Sequence, residues 1–264
     1  MRVVGVSTGR VRPKRSVRGA RRYLPGGWSD TTQPVNVFAV VHPDGVLVFD
    51  TGQSAAAARP GFLPWWHPYL RLARFELTRE DEAAEQLRTL GIDPAAVRWV
   101  VLSHLHTDHV GGIGAFPQAE VIVSRVEWNL ARGLRGRLRG YVQRQLPTEP
   151  RLARFDGPRV GPLPCSEDLA GDGTLLLVPT PGHTAGHMSV LVRAGDRVYL
   201  LAGDLAHTVA ELEVTAPDIA AYCVENDVTV LPTHEDAAHG FVNALSSPDR
   251  DPAVADAARK RLPR

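Results

Sequence analysis

His104-Leu105-His106-Thr107-Asp108-His109 places four groups able to bind a cation within one hexapeptide. It follows Val97 to Leu102, an apolar run that fits a strand buried on both faces, and it precedes Val110-Gly111-Gly112. In extended chain, side chains two residues apart project to the same side, so His104 and His106 can reach one cation. A turn into a helix near Asp108 would aim that carboxylate and His109 at a second position close by, and the glycines keep the turn uncrowded. Further candidates sit just past other expected strand ends: His183 after Thr180-Pro181-Gly182, Asp204 after Ala202-Gly203, and His234 after Leu231-Pro232-Thr233. Ligands at strand ends make one rim, which favours a metal site over unrelated polar residues. Five histidines and two aspartates without cysteine form an imidazole and carboxylate set. It suits two divalent cations, zinc by default, with manganese, iron or cobalt also accepted.

Working outward, Val35 to Val41 and Val46 to Phe49 flank the turn formers of His42-Pro43-Asp44-Gly45 and predict a hairpin that ends in Asp50-Thr51-Gly52. Thr78, Asp81, the spacing of Ala83, Leu87 and Leu90, and Gly91 predict a helix from Thr78 to Gly91. Glu120 to Val123, Thr174 to Val178, Met188 to Val192, Val198 to Ala202 and Val228 to Leu231 read as strands, with Gly195-Asp196 as the turn between the third and fourth of these. Asp218 to Glu225 reads as a helix, and the tail after Pro248 as a polar terminal helix. Glu127 to Leu146 is helical in part, interrupted by Gly133, Gly136 and Gly140. Ser54 to Leu77, broken by Pro60, Gly61 and Pro64, carries Phe62, Trp65, Trp66 and Tyr69 as a buried plug or a lid. Arg10 to Arg22 gathers seven basic residues without periodicity and reads as a solvated loop or arm. Strand and helix blocks with hairpins in both halves suggest two packed sheets covered by helices.

The 264 residues show no compositional break, so a single domain spanning 1–264 is expected. A hydrophobic content of 44% and a charged content of 22% set aside disordered and fibrous classes. The net charge of +1 singles out no electrostatic partner, and no nucleic acid is expected. No apolar run is long enough for a membrane span, and the first residues carry Arg and Gly where a signal peptide would be apolar; the expected compartment is the cytoplasm. Cys165 and Cys223 lie far apart and read as free thiols.

The ordered set of motifs resembles the metallo-β-lactamase superfamily, whose His-x-His-x-Asp-His signature stands here at His104 to His109. The resemblance takes in Asp50-Thr51-Gly52, Pro181-Gly182-His183-Thr184, Gly203-Asp204 and His234, and so covers most of the chain. It implies an α+β fold, an αβ/βα sandwich of two mixed β-sheets flanked by helices. It also implies that His104, His106 and His183 hold one metal, that Asp108, His109 and His234 hold the other, and that Asp204 bridges them.

Such a pair lowers the pKa of shared water to about 7, so a metal-bridging hydroxide serves as nucleophile without a serine. Asp108 would orient it or return a proton. Within the superfamily the β-lactamases lack a bridging aspartate at the position of Asp204. Glyoxalase II enzymes carry an added helical domain that the 30 residues after His234 cannot hold. The tRNA-processing nucleases carry an RNA-binding arm with no counterpart here. What remains resembles the N-acyl homoserine lactonase group, so a lactone substrate is expected, with an arylesterase or phosphotriesterase of the same superfamily as the alternative. A mononuclear iron persulfide dioxygenase would need only two His and one Asp, and the second half-site argues against it. Phe62, Trp65, Trp66, Tyr69 and Thr107 are the expected substrate contacts. Two positions depart from the group, which often has a bulky residue where Thr107 stands and a tyrosine where His207 stands; His207 is the expected hydrogen-bond donor to substrate. His187 is expected to orient a ligand, and His42, His67 and His239 to be incidental. A homodimer is admitted.

Overall fold

The computed structural model of the chain describes residues 1–14, 27–62, 73–133, 136–137 and 139–246. Among these residues, strands β1 (Arg2–Pro13), β2 (Gln33–His42), β3 (Gly45–Phe49), β4 (Ala73–Glu76), β5 (Val97–Val101), β6 (Glu120–Ser124) and β7 (Arg151–Ala153) form a seven-stranded sheet in the order β4-β1-β2-β3-β5-β6-β7. Strands β8 (Glu167–Asp168), β9 (Leu175–Pro179), β10 (Met188–Ala194), β11 (Arg197–Gly203) and β12 (Val228–Pro232) form a five-stranded sheet in the order β12-β11-β10-β9-β8. Both sheets are mixed: β3, β5, β6 and β7 run parallel beside antiparallel β1, β2 and β4, and β11 and β12 run parallel beside antiparallel β8 to β10.

The two-residue period of the strands builds the layers. Phe38, Val40, Leu47, Phe49, Trp99, Val101 and Ile122 of the first sheet meet Leu175, Leu177, Met188, Val190, Val192, Tyr199, Leu201 and Leu231 of the second. Their strand neighbours Val37, Ala39, Val46, Val48, Val97 and Val100 face outward, under α1 (Ala83–Thr89), α2 (Thr107–Val110) and α3 (Arg125–Arg132). On the other side Leu176, Leu191, Leu200 and Val230 lie under α4 (Val209–Thr215) and α5 (Pro217–Glu225), while Phe241, Val242 and Leu245 of α6 (Ala238–Ser246) join the inter-sheet core beside β1. This is the expected helix-covered pair of mixed sheets. No helix among the described residues is long and apolar enough to cross a membrane.

Two expectations need correction, and three elements were not anticipated. Arg10 to Pro13 is not an arm but the end of β1, where Val11 is buried between outward Arg10 and Arg12. Arg10 pairs with Asp236 at 2.9 Å and Arg12 with Glu76 at 2.8 Å, so these basic side chains are the solvent face of a strand. Residues 15–22 of that stretch, and the tail after Pro248, lie outside the described residues. The helix expected from Thr78 starts only at Ala83, because the Asp81 carboxylate accepts from Thr78 N at 2.7 Å and its hydroxyl at 3.0 Å and closes a turn first. The reading of Glu127 to Leu146 as helical in part holds, with α3 ending at Arg132 before Gly133 and a 3-10 turn at Gln143–Gln145; β1, α4 and α6 were not anticipated as regular elements from Arg2, Val209 and Ala238.

Strand direction gathers the chemistry. Parallel β3, β5 and β6 end at one edge, delivering Asp50, the segment 103–109 and Ser124 there. In the second sheet β9, β11 and β12 share one direction, so His183, Asp204 and His234 follow strand ends at the same rim. Met188 N donates to Ser103 O at 3.0 Å and Asn36 N to Thr233 O at 2.9 Å, stitching the sheets together beside it.

Candidate metal centre

Ser103 starts the site. Its N–H and hydroxyl both donate to Asp50, at 2.7 and 2.8 Å, and Asp50 sits at a φ of 60° just past β3. The same serine oxygen lies 3.0 Å from His104 Nδ1, which donates to it and leaves the Nε2 lone pair facing the rim. From there the imidazoles converge: His104 Nε2 to His106 Nδ1 is 2.9 Å, and His106 Nδ1 to His183 Nε2 is 3.0 Å. A tetrahedral cation with bonds of about 2.0 Å sets its ligands about 3.3 Å apart, close to this spacing. Burial, with the neighbouring imidazoles, holds His104 well below the usual imidazole range and takes His106 down to about 4. Burial lowers His183 as well. These are neutral rings with lone pairs aimed at one point.

The other half is built around Asp204. Its Oδ1 stands 3.4 Å from both His109 Nε2 and His234 Nε2, and its Oδ2 3.5 Å from His183 Nε2. His109 is oriented from behind by Asp50, whose Oδ2 accepts from Nδ1 at 2.8 Å, and His234 by the Pro34 carbonyl, which accepts from Nδ1 at 2.7 Å. Burial opposes charge here too, yet the carboxylates win: Asp204 and Asp50 raise His109 well above its ordinary value, Asp204 raises His234, and the two rings hold Asp204 well below the carboxylate range. Buried Asp204 draws positive charge toward itself. A cation would supply that charge, and His109 Nε2 and Asp204 Oδ1, both buried, have no hydrogen-bond partner. Orphaned ligand atoms in the interior are costly unless a partner completes them, so the residues present fit a metal.

The ligand atoms of four sets each lie within 4.8 Å of one another: His104, His106 and His183; His104, His109 and Asp204; Asp108, His109 and His234; and His183, Asp204 and His207. All seven expected ligands are therefore brought together as two clusters joined at Asp204. His207 joins them at the mouth, with Nε2 3.8 Å from Asp204 Oδ2 and a side chain 40% exposed. Its backbone N–H and Nδ1 face Glu211 Oε2, at 3.0 and 3.6 Å. His187 fixes Asp204 from below: its Nε2 accepts from Asp204 N at 3.1 Å and its Nδ1 donates to Thr180 O at 3.1 Å. Burial takes this ring down to about 3. Gly203 permits the approach, with φ of 59° and no room for a Cβ, which would fall 2.7 Å from Ser103 Cβ and 2.8 Å from His187 Nε2.

The expected substrate contacts divide. Phe62 packs with Val142, Ala73 and Phe75, under the Arg144 guanidinium 3.8 Å from its ring centre. Trp65, Trp66 and Tyr69 lie outside the described residues. Thr107 is wholly buried, and its hydroxyl is taken up by Gln53, which donates to it at 2.6 Å, and Gln145, which accepts from it at 2.5 Å. His42 and His239 lie apart from the clusters, paired with Asp172 and Asn36.

Sequence reasoning missed Glu127 and Tyr141 and gave Asp50 no task. Glu127 is fully buried and accepts hydrogen bonds from Leu105 N, the Tyr141 hydroxyl and the Thr184 hydroxyl, and the Tyr141 ring centre lies 5.1 Å from that of His106. The only signal was local, a Ser124-x-x-Glu127 spacing at a helix start.

A family model described as the metallo-beta-lactamase superfamily matches residues 30–262. The N-acyl homoserine lactonase AttM of Rhizobium radiobacter is 32% identical over 235 residues, which are 80% of this chain and 85% of that protein. The protein of the same name from Azorhizobium caulinodans is 37% identical over 172 residues, 64% of this chain and 63% of that one. A solved N-acyl homoserine lactone hydrolase, with the product N-hexanoyl-L-homoserine bound at its catalytic metal centre, superposes with a TM-score of 0.66 at 19% identity, over 89% of this chain and 93% of that one.

Proposed function

The chain belongs to the metallo-β-lactamase superfamily, and from that premise we propose that it opens the lactone ring of N-acyl homoserine lactones. The observation that carries the reading is the pair of imidazole and carboxylate clusters meeting at Asp204, in a chain that shares 32% identity with a lactonase of that class along most of both lengths. His104, His106 and His183 would hold one divalent cation and Asp108, His109 and His234 the other, with the Asp204 carboxylate set among the ligands of both. When bound, such a pair supplies a nucleophile from water near neutral pH and polarises the ester carbonyl.

The protein's own groups do the rest. Asp204, oriented through His187 and the Gly203 turn, keeps the two clusters at a fixed separation. Asp108, 7% exposed, orients the nucleophile, takes up the proton released as it adds to the carbonyl and returns that proton to the departing alkoxide. His207 stands at the exposed mouth with Nε2 toward the site and donates a hydrogen bond to the substrate carbonyl. The acyl chain lies along Phe62 and Phe75, the partly buried apolar side chains that pack on Val142. Two unpaired thiols, Cys165 and Cys223, support a cytoplasmic location.

The test is hydrolysis of a homoserine lactone, an aryl ester and paraoxon, side by side, by zinc-replete protein and by the His106→Ala variant. The proposal requires the lactone to be preferred and the variant to be inactive on it. Preference for the aryl ester or paraoxon would move the assignment to an esterase or phosphotriesterase.

A further inference from the structure

We propose that Glu127 is the positioning residue of the three-histidine half-site, setting His104, His106 and His183 for one cation while the other half-site rests on different supports. This rests on the metal-centre reading above and deepens it. Glu127 stands three residues after Ser124, the spacing of a capping box, in which the carboxylate reaches back to the first N–H of its own helix. Only half of that box forms. The Ser124 hydroxyl accepts from Glu127 N at 3.1 Å, but the carboxylate turns away from α3 toward the metal rim.

There its Oε1 accepts from Leu105 N at 3.0 Å and from the Tyr141 hydroxyl at 2.8 Å, and its Oε2 accepts from the Thr184 hydroxyl at 2.7 Å. Leu105 lies between two of the three histidines and Thr184 directly follows the third. Tyr141 rests its ring against His106. One side chain thus ties together the segments that supply all three imidazoles, although those segments lie 22 and 57 residues from it on opposite sides or beyond the helix. The backbones are fitted for this contact, since a Cβ on Gly186 would fall 2.1 Å from Glu127 N, and the Ser124 hydroxyl donates to Gly186 O. A buried carboxylate is expensive unless its oxygens are satisfied, and a helix merely docked on the core has no need of one. The other half-site is braced separately, His109 by Asp50 and His234 by the Pro34 carbonyl.

Glu127→Gln keeps the shape but sets an NH2 group among three donors. The expected result is a cation affinity weakened on the order of 10- to 100-fold at one half-site. At limiting zinc, dialysed wild type should retain two cations per chain and the variant one, with only the three-histidine component lost from the visible spectrum of the cobalt form. Thr184→Val removes a single donor without placing an amide in the cluster, and should fall between the two. Equal affinity for both cations in wild type and both variants would overturn the inference and leave the metal centre standing, as would parallel loss of both cations. A wild-type chain that takes up no cation would overturn the metal-centre reading itself, and this inference with it.

Discussion

Replacing Asp50 by asparagine exchanges one oxygen for an amide nitrogen where three donors meet. Asparagine tolerates the φ of 60° found there, so the backbone has no reason to move. One oxygen of Asp50 accepts from Ser103 N at 2.7 Å, and the other from the Ser103 hydroxyl and His109 Nδ1, each at 2.8 Å. The amide oxygen stays with Ser103 N, which has no other role to take, and the NH2 group then faces the serine and the imidazole. Serine can turn and accept. The imidazole can accept at Nδ1 only by moving its proton to Nε2, the atom that faces Asp204 and the cation position. Loss of one charge-assisted hydrogen bond costs about 1.5–3 kcal/mol, which a domain with a stability of roughly 5–15 kcal/mol survives. The cation held by His109 should bind about 10- to 100-fold more weakly. Zinc titration of the folded variant measures the loss, and nitrogen NMR of the imidazoles reads the tautomer. Two cations bound with wild-type affinity, or an Nε2 that stays unprotonated, would refute the reasoning. The pH dependence has a definite sign. In the metal-free chain the carboxylates of Asp204 and Asp50 raise His109 against burial, a contribution to stability that is complete below the unfolded pKa and lost as pH rises through the folded one. Asparagine removes part of it, so the acid side of the metal-free stability profile should fall in the variant.

Other outcomes are expected on the same grounds. His207→Ala should lower kcat on a homoserine lactone by about 100-fold while elemental analysis still finds two cations; a lost cation would make His207 a ligand. Burial depresses His187 from 6.5 to about 3, so its share of metal-free stability is complete above pH 6.5 and lost as pH falls toward 3; urea unfolding across that range should show the decline in wild type and less of it in His187→Gln. Gly203→Ala should cost about 2–4 kcal/mol by forcing a Cβ against Ser103 and His187 at positive φ, read as a lowered unfolding midpoint.

The candidate ligands could be picked out because each histidine and aspartate follows a strand whose apolar run is visible in the chain, as Val97 to Leu102 does before His104. The groups that brace them were not. Asp50 serves His109 across 59 positions and Glu127 serves Thr184 across 57, pairings made by strand order and by no local pattern. β1 escaped notice because Gly5 and Gly9 interrupt its valines, and because the alternation Arg10-Val11-Arg12 looks like a basic segment until Val11 is seen to be buried. Thr107 invited a role at the surface of the site by its place in the motif, but the first turn of α2 carries it inward to Gln53 and Gln145. The helix near Thr78 shows a competition between signals, with the Asp81 carboxylate closing a turn where a cap had been expected.

The two ends of the sandwich are fastened by different means. At the end away from the rim, His42 of the larger sheet meets Asp172 of the smaller sheet's connection at 3.1 Å, a clasp made of protein alone. At the rim, His104, His106, Asp108 and His109 come from one sheet and His183, Asp204 and His234 from the other, so ions gripped by both would act as rivets through the seam. Stripping the ions would leave that edge to the protein's own stitches, Met188 N on Ser103 O and Asn36 N on Thr233 O, so the catalytic mouth is the end of the book whose binding depends most on what it carries.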